Sequence, residues 1–209
     1  MTYAVKEIFL TLQGEGMQSG SRAVFLRFAG CNLWTGREED RTKAICQFCD
    51  TDFVGTDGVN GGKFAEAVTL ADKVAELWGE GRKDRLVVIT GGEPMLQLDA
   101  DLIDALHDRG FRIAVESNGT IAAPEGIDWL CISPKWGSEL VQTSGDELKL
   151  VWPQPFDLDQ LEALDFANFL IQPMDGENVE EATEAAIALV MERPKWRLSL
   201  QTHKLLGLA

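Results

Sequence analysis

Leu86-Val87-Val88-Ile89-Thr90-Gly91-Gly92-Glu93-Pro94 is the stretch that decides the fold. A short apolar, β-branched run reads as a buried strand, and the glycines and proline end it. The same kind of unit recurs outward from it. Downstream, a helix over about Asp99 to Asp108 turns Leu102, Ile103 and Leu106 inward and stops at Gly110. Further strands follow at Arg112–Glu116, Trp129–Ser133, Leu148–Trp152, Asn168–Gln172 and Trp196–Thr202. A short helix around Leu158–Leu164 and an amphipathic one at Val179–Met191 lie among them. Upstream, Val5–Gln13 is an extended stretch entering a Gly14-Glu15-Gly16 turn, and Val24–Ala29 is the first core strand, broken only by Arg27. Thr69 is expected to cap a helix that carries Leu70, Val74, Leu77 and Trp78 on one face and ends at Gly79.

Alternating strands and helices imply an α/β fold with a largely parallel sheet. Polar residues gather just after the strands: Cys31, Thr90, Glu116, Ser133, Lys135 and Gln172. In parallel α/β sheets and barrels that end carries the active site. The 209 residues are short for a full eight-stranded barrel of about 250. A partial TIM-like barrel of the (β/α)6 type fits better, with an N-terminal extension and one domain over residues 1–209.

A net charge of −15 repels phosphate backbones, so nucleic acid is a poor partner and small molecules or soluble proteins are expected. No long uncharged apolar run suggests a membrane span. The N-terminal residues lack the pattern of a secretory signal, so a cytoplasmic location is expected. In that setting the four cysteines are expected to be reduced.

Cys31, Cys46 and Cys49 form a C-x14-C-x2-C pattern. Three thiolates can hold an iron–sulfur cubane by three irons and leave the fourth open. A zinc site completed by Cys131 or a histidine is an alternative, as are three unrelated thiols. Cys131, inside an apolar strand, reads as a core thiol. The Gly91-Gly92 turn lets backbone approach a ligand closely, with Glu93 available to an amino group or a ribose.

With Cys46-Gln47-Phe48-Cys49 and Gly91-Gly92-Glu93 together, the chain resembles the radical S-adenosylmethionine superfamily. Its first cysteine gap departs from the usual three residues, since Asn32–Ile45 fills it here. Leu12-Gln13-Gly14-Glu15-Gly16, Arg27, Asp50-Thr51-Asp52, Ser133-Pro134-Lys135 and His203-Lys204-x-x-Gly207 narrow the resemblance to the 7-carboxy-7-deazaguanine synthase (QueE) family, over nearly the whole chain. A glycyl-radical activating enzyme and a non-catalytic zinc-stabilised binding module are the competing readings. The first needs an open groove for a peptide.

The resemblance implies a [4Fe–4S] cluster on Cys31, Cys46 and Cys49. S-adenosylmethionine falls to Phe48, Asp50, Gly92, Glu93, Glu116, Ser133, Pro134, Lys135, Gln172, Pro173, Met174 and Asp175. It implies 6-carboxy-5,6,7,8-tetrahydropterin as substrate, held by Leu12, Gln13, Gly14, Glu15, Arg27, Thr90, His203 and Ala209. Arg27 suits a carboxylate because its guanidinium is a two-pronged donor, the alternative being an internal salt bridge. The tail bearing His203 is also short enough to fray. Mg²⁺ on Thr51, a flavodoxin-like electron donor and a homodimer complete what the resemblance implies. The insert between Cys31 and Cys46, with Arg37, Arg41 and Lys43 among acidic residues, reads as a lid or local element, and a docking patch is a further option.

Overall fold

A computed structural model describes residues 2–81 and 83–208. The chain opens on β1 (Tyr3–Leu12), which pairs antiparallel with β2 (Arg22–Phe28) on one side and β3 (Gly62–Phe64) on the other. From β2 onward every neighbour is parallel: β4 (Arg85–Gly91), β5 (Phe111–Ser117), β6 (Trp129–Ile132), β7 (Ser144–Trp152), β8 (Asp165–Pro173) and β9 (Trp196–Leu198). The sheet is open, in the order β3-β1-β2-β4-β5-β6-β7-β8-β9. This is the expected partial barrel, and β1 with β3 forms its N-terminal extension.

One face of the sheet is hydrocarbon. Val24, Leu26, Val87, Ile89, Ile113, Val115, Ile132, Leu148 and Ile171 are buried there. Against them lie α1 (Ala67–Trp78), α2 (Ala100–Asp108), the short α3 (Leu158–Glu162) and α4 (Val179–Glu192), through Leu70, Val74, Leu102, Leu106, Leu161, Ala186 and Leu189. Strand side chains alternate, so the residues between these point to the concave face. Near the strands' amino ends that face is plugged by Ala23, Leu86, Val88 and Ala114, with Phe25 and Trp129. Beyond the plug the register sets Arg27 beside Thr90, and Glu116, Cys131 and Glu147 in a row. A barrel filled by apolar layers would be solid; here the polar upper layer leaves room for a ligand.

Three local expectations shift. Ala67 and Val68 are already helical, so Thr69 sits inside the first turn of α1 and does not cap it; the chain leaves β3 only at Phe64 and enters the helix directly. Asp99 does cap α2, accepting from the Leu102 N–H at 3.1 Å, and also binds the Tyr3 hydroxyl at 2.6 Å. The last strand stops at Leu198, and residues Thr202–Leu206 form a short helix, α5. Between the cysteine loop and α1, Gly61 lies so close to the Lys6 carbonyl that a Cβ there would meet it at 2.1 Å, and β3 pairs with β1 beside it.

Ile89 is fully buried in the central strand β4. Ile89→Ala is expected to lower stability by about 2–5 kcal/mol, read as a lower urea midpoint at unchanged slope.

Candidate active site

A cavity of about 380 Å³ opens over the carboxyl ends of β2 and β4–β8. Its first wall is the cysteine loop. Cys31, Cys46 and Cys49 are free thiols and all three line the cavity. The Cys46 thiol hydrogen-bonds Cys49 and holds it down at about 6, with burial opposing; burial pushes Cys31 up. Among the described residues no three His, Cys, Asp or Glu side chains converge on a single-ion site. The thiols instead border one space, the arrangement that suits a bulky cluster rather than one ion.

The insert is a local structural element. It forms a 3-10 turn over Glu38–Lys43. Arg41 donates to Glu38 and to the carbonyls of Gln47 and Cys49 at 2.9 and 3.1 Å, and its guanidinium lies 4.0 Å over the Trp34 ring. Trp34 packs edge-on against Phe53 at 5.6 Å. Arg41 therefore clamps the C-x2-C turn instead of facing solvent.

The Gly91-Gly92-Glu93 turn leans on the same loop. A Cβ on Gly92 would lie 2.2 Å from the Gly30 carbonyl and 2.7 Å from the Cys31 Cβ, so no side chain fits between turn and cysteine. Glu93 departs from its expected place at the cofactor. It is fully buried, accepting from Met95 N–H at 2.9 Å, the Ser117 hydroxyl at 2.8 Å and Asn118 N–H at 2.8 Å. Both its oxygens are taken by protein donors, and burial pushes its carboxyl upward.

Phe48, Asp50, Thr51, Gly92, Glu116, Ser133, Lys135, Gln172, Pro173 and Asp175 do line the cavity. Lys135 donates to the Ser133 carbonyl and hydroxyl at 2.6 and 2.7 Å, and its ammonium lies 5.9 Å from the Phe48 ring centre. Pro134 and Met174 stay out of the wall. The Pro134 carbonyl accepts from Gln154, and Met174 N–H donates to the Trp152 carbonyl at 2.8 Å, extending the β7–β8 pairing.

The opposite wall holds Leu12, Gln13, Gly14, Glu15, Arg27, Thr90 and His203. Arg27 Nε donates to Glu7 at 2.8 Å, so the internal ion pair is present, and both partners face the cavity. His203 lies over Gly14, where a Cβ would meet its Nδ1 at 2.2 Å. The tail is tied down: Thr202 N–H and hydroxyl both donate to the Gly14 carbonyl, at 2.9 and 2.8 Å. The role expected of Ala209 lies outside the described residues.

Lys149, Asn118, Gln201 and Lys204, none of which carries a site role in the sequence, also stand in the cavity wall. Lys204 bridges Asp50 at 2.5 Å and Asp175 at 2.7 Å, and Gln201 bonds Asp50 and Glu15. Burial raises the Asp50 carboxyl, but Lys204 and Gln201 pull it below the ordinary aspartate value. For Lys149 a signal existed: a lysine inside Leu148-Lys149-Leu150-Val151 is as anomalous as Arg27 in its own strand.

Three thiols beside a Gly-Gly-Glu turn, at the carboxyl ends of an open parallel barrel, define the radical S-adenosylmethionine class. No family model matches the chain. It is similar over its whole length, and over the whole of each relative, to 7-carboxy-7-deazaguanine synthases of Caulobacter vibrioides at 64% identity and Bradyrhizobium diazoefficiens at 62%. A crystal structure of QueE from Escherichia coli matches with a TM-score of 0.71 at 26% identity, covering 96% of this chain and 94% of that one. The chain belongs to the 7-carboxy-7-deazaguanine synthase family. That membership sets aside the activating-enzyme and zinc-module readings.

Glu93→Ala would leave the Met95 and Asn118 N–H groups buried without acceptors. It is expected to cost about 3 kcal/mol in stability, read by urea unfolding, and to weaken S-adenosylmethionine binding although the side chain does not face the cavity.

Proposed function

We propose that this chain converts 6-carboxy-5,6,7,8-tetrahydropterin to 7-carboxy-7-deazaguanine with loss of ammonia, the reaction of its family. The observation that carries the reading is one cavity with two unlike ends: three thiols on one wall, and a guanidinium and carboxylates on another.

Cys31, Cys46 and Cys49 hold the [4Fe–4S] cluster. When bound, the cluster and S-adenosylmethionine supply a hydrogen-abstracting radical. Phe48, Asp50, Gly92, Glu116, Ser133, Lys135 and the Gln172–Asp175 turn position that cofactor, with Lys135 offering its ammonium to a carboxylate and Asp50 its oxygens to hydroxyl donors. Arg27 takes the substrate carboxylate, exchanging a share of its pairing with Glu7 for a two-pronged one. Gln13, Glu15, Thr90 and the Leu12 and Gly14 backbone read the heterocycle, and His203 closes over it. Excluding water protects a reactive intermediate from side reactions.

Mg²⁺ binds at Thr51 with substrate oxygens and waters completing its shell, since one hydroxyl is a weak anchor for a hard cation. A low-potential, flavodoxin-like protein reduces the cluster. The enzyme acts as a homodimer in the cytoplasm, and no helix among the described residues is long and apolar enough to cross a membrane.

The test is anaerobic. After reconstitution with iron and sulfide, the reduced protein is given S-adenosylmethionine, Mg²⁺ and the tetrahydropterin, and products are read by mass spectrometry. A species at the mass of 7-carboxy-7-deazaguanine is expected, absent in Cys49→Ala. Thr51→Ala is expected to raise the Mg²⁺ concentration needed for half-maximal rate by at least tenfold. A cluster-loaded protein that makes 5′-deoxyadenosine and no deazapurine would sink the substrate assignment.

A further inference from the structure

The floor of the cavity carries a buried charge that the residues so far assigned do not explain. Lys149, on β7, has a side chain only 4% exposed. Its ammonium bonds Glu15, and also Glu116 at 2.9 Å. Gln13 closes the figure: its amide nitrogen donates to Glu116 at 2.7 Å, and its amide oxygen accepts from the Glu15 N–H at 3.0 Å. The second oxygen of Glu15 accepts from Gln201 at 2.9 Å. Each carboxylate is thus gripped at both oxygens, and its orientation is set before any ligand arrives.

The electrostatics depend on the ammonium. Burial disfavours charge on Lys149, but Glu116 and Glu15 overcome it and hold the ammonium well above the ordinary lysine value. Burial likewise pushes Glu15 up, and Lys149, Gln201 and Gln172 bring it below the ordinary value. The other ionisable groups around Lys149 are Cys131 on β6, Glu147 on its own strand and Lys135 beyond the end of β6. Glu147 is occupied elsewhere, accepting from the Trp129 indole at 2.5 Å and Met17 N–H at 3.0 Å. Lys149 is therefore the direct counter-ion of Glu15 and Glu116. Without it two half-buried carboxylates would share the floor with no cation between them, an arrangement that disfavours charge on both at once.

We propose that Lys149 is a positioning residue that holds Glu15 and Glu116 as a fixed, ionised acceptor pair for the N–H-bearing edge of a pteridine-class substrate. This rests on the pterin reading above and moves Glu116 from the cofactor set to the substrate wall, because its two oxygens are held by Lys149 and Gln13. An amino-oxo-pyrimidine edge presents adjacent N–H donors, and only an ionised carboxylate accepts from them without offering a competing O–H. Lys149 acts through its two partners, and its loss acts on affinity for the heterocycle.

The experiment compares cluster-loaded wild type, Lys149→Met and Glu116→Gln/Lys149→Met. Equilibrium binding of 6-carboxytetrahydropterin without S-adenosylmethionine is measured from pH 6 to 9, alongside KM and kcat. Lys149→Met is expected to bind at least tenfold more weakly at pH 7, and to weaken further as pH falls while wild type stays flat. The loss is expected in KM, with kcat within about threefold. The double variant, with one carboxylate and no ammonium, is expected to be flat with pH again. A folded Lys149→Met with wild-type affinity and a flat profile overturns the proposal. If Lys149→Met does not fold, the double variant decides: a flat profile within tenfold of wild type supports the positioning role, and a loss beyond tenfold or a sloping profile overturns it. Failure of wild type itself to bind and convert the pterin would instead remove the substrate reading.

Discussion

The carboxylate of Glu93 is the constraint on which the rest of the site depends. It has no contact with solvent and three protein donors. Those donors come from its own turn and from the end of the neighbouring strand β5, so one side chain fixes the spacing of two strand ends. The turn it holds then becomes a floor for the cysteine loop: Glu93 N–H donates to the Gly30 carbonyl at 2.9 Å, and Gly92 leaves no gap beside Cys31. A buried carboxylate is expensive unless every oxygen is satisfied, and the satisfaction here is what makes the turn rigid. Cys31 is placed by backbone and glycine, and its sulfur accepts from the Leu33 N–H at 3.4 Å.

Around that fixed point the sheet divides its chemistry by face. The helices cover one side with aliphatic side chains, and cohesion comes from there. The concave side is free to carry charge because it bears little of the packing. Its lower layer is a small apolar plug, and its upper layer is Arg27, Thr90, Glu116 and Lys149. Charges placed in such a recess find partners in one another: Arg27 with Glu7, Lys149 with Glu15 and Glu116. A ligand with a carboxylate at one end and N–H donors at the other enters a recess already sorted by sign.

Much of this was legible in the sequence. Period and punctuation placed the strands from Leu86 onward and the helix capped by Asp99, because those signals are local. The cysteines and the Gly-Gly-Glu turn were legible because their chemistry is rare. What the sequence hid was direction. Nothing local tells whether Glu93 points into a cavity or back into the protein; the Asn118 N–H that decides it comes from another strand. Thr69 failed as a cap for the same reason, since the point where α1 begins is set by where β3 releases the chain. Lys149 was as readable as Arg27, for both interrupt apolar strands, but only the partners reveal that Arg27 pairs with Glu7 and Lys149 with two carboxylates at once.

The ties between the Gly14–Gly16 turn and the segment 199–202 reach across almost the entire chain. Gly16 N–H donates to the Ser199 hydroxyl at 2.9 Å, Thr202 to the Gly14 carbonyl, and Gln201 to Glu15. During synthesis these partners leave the ribosome far apart in time, the early turn long before the late segment. The sheet can order from its local strand–helix units while the chain is still growing, but the ligand-binding mouth cannot be completed until the final residues arrive. The mouth beside the cysteine loop is thus the part of the fold with the longest loop to close, and it stays open in any state in which the segment 199–202 is undocked.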